Sequence, residues 1–344
     1  MGGEPMESAE TERGRGTVSE ACRMKLIGRP VPVEVLVRTA REHPAFAAAW
    51  LAHALGSDAG VDELALVLAL ARLHDTPGLA DLGRFWREFP GPGVEVPGVE
   101  VPATARAWVE RFGLEWPKVE QPVLEGLLRL PEMSAEGGER RPVAVCKLPI
   151  KAHWLDWLRE YTQPRLTPAG VYGQQAGELR QQVRDSDQAL MPLPSAHPVS
   201  ASIERLMAWS CGKSMAFAEP MVALRYRTGQ QYRWHRDYFQ PGTPATDREL
   251  ENFGQRVHTG ILYVNDGFEG GETEFRDWQL VLRPALGSVV SFSGVHADGT
   301  PDPDSIHRGR PVQGGEKWIA TLWFRDRPLW NRRGLLSPGS PNPA

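Results

Sequence analysis

The sequence predicts an α+β protein in which a helical N-terminal region precedes a strand-rich domain. Residues Val31 to Phe89 place Leu, Val, Ala and Trp at spacings of three and four, the period of helices with one apolar face. From Met221 onward, short apolar segments such as MVALRY, TGILYV and GSVVSFS alternate with turns rich in Gly, Pro and Asp. Many short strands at such intervals are typical of a β-sandwich or barrel.

Composition and charge exclude several classes of protein. The chain has 344 residues and a formal net charge of −4 at pH 7, which argues against a nucleic-acid-binding surface. No apolar run reaches the roughly 18 residues of a membrane helix. Three widely spaced cysteines favour a reducing cytoplasm over a disulfide framework. We therefore expect a cytoplasmic protein without membrane or nucleic-acid partners, and the arginine and alanine bias favours a GC-rich, bacterial genome.

The chain divides into four predicted segments. Residues 1–27 are polar and acidic, as expected of a disordered tail. Residues 28–135 form the predicted helical domain, interrupted at 91–102 by a Pro/Gly spacer that repeats Gly-Val-Glu-Val-Pro. Residues 136–328 form the strand-rich domain, and 329–344 are a C-terminal tail. The helical domain is also a candidate surface for a protein partner.

The segment YRWHRDYF places His235 and Asp237 two residues apart in a predicted strand. Side chains at this spacing point to the same face, so an imidazole and a carboxylate could bind one cation. A further histidine would complete a 2-His-1-carboxylate set, which suits non-haem Fe(II) with open coordination positions. His258, His296 and His307 are candidates for this third ligand. The alternative interpretation is a surface salt bridge with a neighbouring arginine.

A lysine begins the last apolar strand of the domain. Alternation along KWIATLWFR puts Lys317, Ile319, Thr321 and Trp323 on one face. An ammonium group is costly to bury unless an anion pairs with it. Lys317 is therefore a candidate partner for the carboxylate of a small ligand, and the alternative is a lysine at a strand end whose amine reaches water.

Together these motifs resemble the prolyl-4-hydroxylase-like iron(II)/2-oxoglutarate dioxygenases. The family pattern Tyr-x-x-Gly-x-x-Tyr-x-x-His-x-Asp is matched by YRTGQQYRWHRD. Its Arg-x-x-Thr, Tyr-x-Asn and Gly-Gly-Glu-Thr-x-Phe elements are matched by RVHT, YVN and GGETEF. A distal histidine followed ten positions later by a basic residue is matched by His307 and Lys317. The resemblance is strong from Glu219 to Arg327, weaker back to Pro142, and absent from residues 1–135.

The resemblance implies a fold and a metal site. The strand-rich domain would be a double-stranded β-helix, that is, a jelly-roll or cupin-like oxygenase fold. His235, Asp237 and His307 would ligate Fe(II), and Lys317 would bind the distal carboxylate of 2-oxoglutarate. The other two candidate histidines are not expected to ligate the metal.

The resemblance also implies which residues surround the co-substrate. Tyr263 and Thr321 would assist Lys317 in binding the co-substrate. Tyr226 and Tyr232 would line the pocket near the metal, and Trp323 would shape its wall. For Tyr226, Tyr232 and Trp323, an ordinary role in the hydrophobic core is the open alternative.

The implied activity is hydroxylation of an unactivated C–H bond, with decarboxylation of 2-oxoglutarate to succinate. The expected substrate is a prolyl or other amino-acid residue in a peptide, a protein or a free amino acid. The implied cofactors are Fe(II), 2-oxoglutarate as co-substrate and O2, with ascorbate as a further candidate. Two alternatives stay open: a natural-product tailoring hydroxylase, and a 2-oxoglutarate-binding interaction module in which catalysis is secondary.

Overall fold

A computed structural model describes residues 33–57, 59, 61–89, 103–117, 122–124, 143–169, 185–191 and 197–329. The predicted tail at 1–27, the spacer at 91–102, the boundary near residue 135 and nearly all of the tail at 329–344 lie outside these ranges and stay predictions. Within them, no helix has both the length and the apolar character needed to span a bilayer.

The N-terminal region is helical, as predicted. Its described helices are α1 (Val33–Glu42), α2 (Pro44–Leu55), α3 (Val61–Leu73), α4 (Leu79–Glu88) and α5 (Ala103–Arg111). Helix α3 is buried continuously from Glu63 to Ala71, because α1, α2 and α5 all contact it. The buried Glu63 carboxylate accepts a hydrogen bond from Trp50 Nε1 at 2.8 Å. A helix that is buried on all sides over most of its length thus forms the centre of this region.

The following domain combines twelve strands with three helices among the described residues. In chain order they are β1 (Val143–Lys147), α6 (Ala152–Thr162), β2 (Thr167–Pro168), β3 (Asp187–Leu190), α7 (Pro198–Ser210), β4 (Val222–Arg227), β5 (Tyr232–His235), α8 (Pro244–Phe253), β6 (Arg256–Tyr263), β7 (Phe268–Gly270), β8 (Thr273–Phe275), β9 (Leu280–Leu282), β10 (Ser288–Ser293), β11 (His307–Gly309) and β12 (Val312–Arg325). Short 3₁₀ helices lie at Gln163–Arg165, Met215–Phe217 and Pro303–Ser305.

The strands form two antiparallel sheets. The major sheet has the order β1-β10-β6-β12-β4-β3-β2, and β7 pairs with the beginning of β12. The minor sheet has the order β5-β11-β8-β9. Side chains from both sheets meet in one apolar cluster that includes Leu224, Ile261 and Val290 from the major sheet and Phe275 from the minor sheet. The predicted α+β class with a jelly-roll domain is confirmed.

Strand β12 separates two hydrophobic cores. Ile319 and Trp323 pack between the two sheets. Ala320, Leu322 and Phe324 face the opposite way and join the core that the sheet shares with the helices. The alternation predicted for this strand is therefore present, and it directs Lys317 and Thr321 between the sheets.

Helix α7 links the N-terminal helices to the major sheet. It contacts α2 and α4 on one side and β6 and β12 on the other. Trp86 Nε1 donates to Ser202 Oγ at 3.0 Å, and Arg205 Nη1 donates to the Ser57 carbonyl at 2.9 Å. On the sheet side, Glu204 Oε1 accepts from Met221 N at 2.8 Å. One continuous core therefore extends from the N-terminal helices to the sheet.

Candidate active site

The minor sheet brings together three side chains that are far apart in sequence. Strands β5 and β11 pair antiparallel, with His307 opposite His235. Asp237 follows two residues after His235, just beyond the end of β5. One donor atom from each residue lies within 4.8 Å of the other two. The structure thus assembles the predicted set, and its role as a metal site stays a prediction.

Backbone carbonyls orient both histidines. His235 Nδ1 lies 2.7 Å from the Arg233 carbonyl oxygen, and His307 Nδ1 lies 3.0 Å from that of Ser305. A carbonyl oxygen can only accept, so each Nδ1 carries the hydrogen and each Nε2 keeps its lone pair. The two Nε2 atoms lie 3.6 and 3.7 Å from the Asp237 carboxylate oxygens. Hydrogen bonds from Nδ1 to a backbone carbonyl are the usual way in which a protein orients a histidine whose Nε2 binds a metal ion.

The Asp237 carboxylate is buried and held in place. Thr259 Oγ1 donates to its Oδ2 at 2.7 Å. Burial raises the pKa of Asp237, but the neighbouring His307 and His235 and the hydrogen bond from Thr259 outweigh it and lower that pKa below its usual value. The side chains of His235 and Asp237 are only 10% and 8% exposed. The alternative of a surface salt bridge is therefore wrong, and Arg236 Nε instead donates to the Pro303 carbonyl at 2.9 Å.

Aromatic rings surround the two histidines. The Tyr232 ring stacks on His235 with an interplanar angle of 17°. The rings of Phe292 and Phe275 have their centroids 4.8 and 5.4 Å from that of His307. This packing limits rotation of the imidazoles.

Lys317 is buried, with only 3% of its surface exposed. Its Nζ donates to the Gly271 carbonyl at 2.6 Å and lies 5.1 and 5.8 Å from the ring centroids of Tyr263 and Tyr226. Within the described ranges, no carboxylate lies within 4.0 Å of this amine. Burial lowers the pKa of Lys317 to about 7, although Glu272 raises it. The alternative of a lysine that reaches water is therefore wrong.

A single pocket joins the cluster of His235, Asp237 and His307 to Lys317. Its lining residues are Leu224, Tyr226, Tyr232, His235, Asp237, Ile261, Thr273, His307, Arg308, Gly309, Arg310, Lys317, Ile319, Thr321 and Trp323. Tyr263 is not among them. It lies fully buried behind Lys317, where its hydroxyl is hydrogen-bonded to Thr273 Oγ1 at 2.6 Å and burial raises its pKa. Eight of the nine residues predicted at the site line the pocket, and the ninth, Tyr263, supports its wall.

The other two candidate histidines lie elsewhere. His258 projects from β6 toward the helical side, where its Nε2 lies 2.7 Å from Ser291 Oγ. Burial lowers its pKa to about 3, and Lys213 lowers it further. His296 is half-exposed and lies 3.8 Å from Asp302 Oδ1. Neither side chain is part of the cluster of three.

Several ion pairs at the site could not be predicted from the sequence. Arg256 Nε and Nη2 donate to the two carboxylate oxygens of Glu219 at 2.6 and 2.7 Å. Arg308 and Arg310 line the pocket, and both are paired with Glu274. The Arg-x-x-Thr motif draws attention to Arg256, but its partner lies 37 residues earlier in the chain. Only the folded sheet shows which charges meet.

Comparisons with known proteins agree with this geometry. Residues 221–325 match the family described as the 2OG-Fe(II) oxygenase superfamily. The chain is 33% identical over 187 residues to "Prolyl 4-hydroxylase 1" of Arabidopsis thaliana, covering 50% of this chain and 64% of the relative. It is 29% identical over 174 residues to "Prolyl 4-hydroxylase subunit alpha-1" of Rattus norvegicus, covering 50% of this chain and 32% of the relative. The chain thus spans less than two thirds of each relative.

Solved structures that align with part of this chain include two prolyl hydroxylases. The viral collagen prolyl hydroxylase from Paramecium Bursaria Chlorella virus-1 aligns with a TM-score of 0.42 and 22% identity, over 53% of this chain and 95% of that one. A Pseudomonas putida prolyl-4-hydroxylase aligns with a TM-score of 0.39 and 19% identity, over 54% and 92% of the two chains.

Proposed function

We propose that this chain, whose residues 221–325 match the 2OG-Fe(II) oxygenase superfamily, is a prolyl-4-hydroxylase-like oxygenase that hydroxylates an unactivated C–H bond and decarboxylates 2-oxoglutarate to succinate. The substrate would be a prolyl or other amino-acid residue in a peptide, a protein or a free amino acid. The observation that carries the proposal is the pocket in which the cluster of His235, Asp237 and His307 lies beside the buried Lys317.

The donor set suits Fe(II). Two neutral imidazoles and one carboxylate, all from one side, leave positions open for other ligands. When bound, the iron would supply the activation of O2 and the oxidation of the C–H bond. The chain's own contribution is to hold the metal with His235, Asp237 and His307 and to fix the carboxylate through Thr259. Ascorbate stays a candidate for keeping the iron reduced.

Lys317 suits the distal carboxylate of 2-oxoglutarate. A carboxylate would give the buried ammonium group the counter-ion that the described residues do not provide. Charge-assisted hydrogen bonds of this kind are short and strong, and the lysine would act as a point charge. Thr321 and Tyr226 line the pocket beside it, and Tyr263 limits its position from behind.

The names of the similar proteins support a prolyl residue as the target. We further propose a cytoplasmic location, on the basis of the three widely spaced cysteines. Turnover of 2-oxoglutarate to succinate can be measured before the substrate is known.

Purified protein would be incubated with Fe(II), 2-oxoglutarate and a proline-containing peptide. We expect succinate to form and the peptide mass to increase by one oxygen atom. Protein that binds 2-oxoglutarate but forms no succinate in any condition would contradict the proposal and favour the interaction-module alternative. Succinate formation without peptide hydroxylation would support the activity and exclude this peptide as a substrate.

A further inference from the structure

Asp237 lies beyond the part of the minor sheet that holds the other two residues of the cluster. His235 and His307 face each other in paired strands, but β5 ends at His235 and Asp237 lies in a bend outside the described strands. The Thr259 hydroxyl holds the carboxylate group itself. Because the strand ladder does not fix the main chain at Asp237, the position of this main chain depends on contacts of the segment that follows it.

One side chain forms two bonds to the main chain of Phe239, two residues after Asp237. Gln255 Oε1 accepts a hydrogen bond from Phe239 N at 2.7 Å, and Gln255 Nε2 donates to the Phe239 carbonyl at 2.8 Å. In an antiparallel sheet, two opposed residues exchange the same pair of bonds, one accepted and one donated. The side-chain amide of Gln255 thus takes the place of a strand partner at this point.

The Gln255 amide is itself fixed. Its Oε1 also accepts from Arg256 N at 2.9 Å, and its main-chain carbonyl accepts from Asp326 N at 2.8 Å. With two N–H groups directed at Oε1 and a carbonyl at Nε2, only this orientation of the amide satisfies every group. Gln255 directly precedes β6, the strand that carries Thr259. The same stretch of chain therefore holds Asp237 at two points, its carboxylate through Thr259 and its main chain through Gln255.

The ring of Phe239 is packed as well. It is buried, and the guanidinium carbons of Arg256 and Arg325 each lie 4.8 Å from its centroid. Both guanidinium groups donate to the Glu219 carboxylate. Packing of the ring keeps the segment against the domain, whereas the directional bonds from Gln255 set where along β6 its main chain lies.

We infer that Gln255 is a positioning residue for the metal and acts through the main chain of Phe239. Its two bonds hold Asp237 where the carboxylate can bind the same ion as His235 and His307. The inference rests on the proposed function, because it takes the cluster to be the metal site. Loss of the Gln255 bonds leaves both imidazoles oriented by their own carbonyl partners and displaces only the carboxylate.

The test measures Co(II) bound by the full-length protein in the absence of O2. Co(II) stands in for Fe(II), and its visible absorption bands report the geometry of its ligands. Gln255→Met keeps an unbranched side chain of similar length and removes all three of its hydrogen bonds. Gln255→Glu keeps the acceptor oxygen and loses the donor to the Phe239 carbonyl, and it takes the place of Gln255→Met if that variant does not fold.

Gln230→Met is the matched control. Gln230 is another partly buried glutamine whose side chain binds the main chain at two points. Its Oε1 accepts from Arg227 N at 2.7 Å, and its Nε2 donates to the Asp185 carbonyl. These bonds hold the turn between β4 and β5 and do not reach the segment after Asp237.

In Gln255→Met the dissociation constant for Co(II) should increase about tenfold and the visible bands should shift, as expected when a residue that orients a metal ligand is lost. Gln255→Glu should show a smaller shift and an increase of about threefold, because it loses one neutral hydrogen bond. Gln230→Met should lower thermal stability, keep the dissociation constant within about twofold of wild type and leave the bands unchanged.

The outcomes separate this inference from the proposed function. Absence of both Co(II) and Fe(II) binding by the wild type would contradict the proposed function itself. A wild type that binds Co(II), with the same affinity and the same bands in Gln255→Met, would overturn the inference and leave the function standing. An equal loss of affinity in Gln230→Met would also overturn it, because the effect would then be a general loss of stability.

Discussion

The histidines of the cluster take their orientation from the main chain. Their Nδ1 atoms bond to carbonyls two residues earlier in sequence, at Arg233 and Ser305. Substituting neighbouring side chains should therefore leave the tautomers of His235 and His307 unchanged. Asp237 differs, because a side chain, Thr259, orients it.

The first prediction concerns these three side chains. His235→Ala, Asp237→Ala and His307→Ala should each weaken Fe(II) binding by at least about a hundredfold and abolish succinate formation, because each removes one donor atom of three. Fe(II) affinity is measured by anaerobic titration and succinate by chromatography.

Two other histidines serve as controls. His296→Ala removes a half-exposed side chain and should change nothing. His258→Ala removes a buried side chain bonded to Ser291, so it should lower thermal stability while leaving Fe(II) affinity intact. Loss of Fe(II) binding in either control, with retention in His307→Ala, would show the assignment of the third ligand to be wrong.

The second prediction concerns the pH dependence of 2-oxoglutarate binding. The pKa of Lys317 is lowered to about 7, so the free amine is increasingly neutral as pH rises above 7. Binding the co-substrate carboxylate then requires uptake of a proton. The dissociation constant of 2-oxoglutarate should therefore increase above pH 7, by at most tenfold per pH unit. Anaerobic calorimetry between pH 6.5 and 8.5 measures it.

Lys317→Arg is the matched variant, because a guanidinium stays charged throughout this range. It should bind more weakly than wild type at pH 6.5 but show a much smaller increase with pH. Lys317→Ala should bind very weakly at every pH. A wild-type affinity that is flat with pH, or an alanine variant with normal affinity, would contradict the role of the amine.

At the scale of elements, β12 was the most predictable part of the site. Its strict alternation of faces gives the inward positions of Lys317, Thr321 and Trp323 from the sequence alone, because side chains along a strand have a period of two. The pairing of β5 with β11 could not be predicted from the residues in this way. Strand His307–Gly309 has only three residues, and no local pattern specifies which distant strand it will meet.

The third prediction concerns the turn between β7 and β8. Gly271 has φ +66°, and an added Cβ would lie 3.2 Å from Lys317 Cδ. Gly271→Ala should therefore strain the turn, displace the lysine and raise the KM for 2-oxoglutarate about tenfold, with Fe(II) affinity unchanged.

Gly267→Ala is the control in the same segment, because a Cβ there meets no atom within 4 Å. It should leave both Fe(II) affinity and the KM for 2-oxoglutarate unchanged. A wild-type KM for 2-oxoglutarate in Gly271→Ala would show that the turn does not position Lys317.

At the scale of the whole molecule, the order of a helical region and a strand-rich domain was predictable from the periodicity of apolar residues. The docking of one on the other was not. Helix α7 reads in sequence as an ordinary apolar helix, and nothing in Ser202 or Arg205 indicates that their partners are Trp86 and Ser57, more than a hundred residues earlier. Such contacts depend on how complete surfaces fit together.

The fourth prediction follows from the shared core. Trp86→Ala removes a buried ring and the bond to Ser202, so it should destabilise the chain by about 3–5 kcal/mol. Because the core is continuous, the loss should appear as one earlier unfolding transition, seen equally by circular dichroism and by loss of 2-oxoglutarate binding.

Leu73→Ala is the control, since Leu73 is 56% exposed on α3 and its truncation should cost well under 1 kcal/mol. Two separate transitions in Trp86→Ala, with ligand binding lost only in the later one, would show that the helices and the jelly roll unfold independently.

Because α7 is buried on both sides, the residues that related proteins can carry on this helix depend on whether they have the N-terminal helices. Eleven of its thirteen residues are buried, among them Ala201 and Ala208. A relative that lost the N-terminal helices would expose the outer side of this helix to water. We expect such relatives to carry Lys, Glu or Gln where this chain has small residues facing α2 and α4, and those positions to change together with gain or loss of the helices.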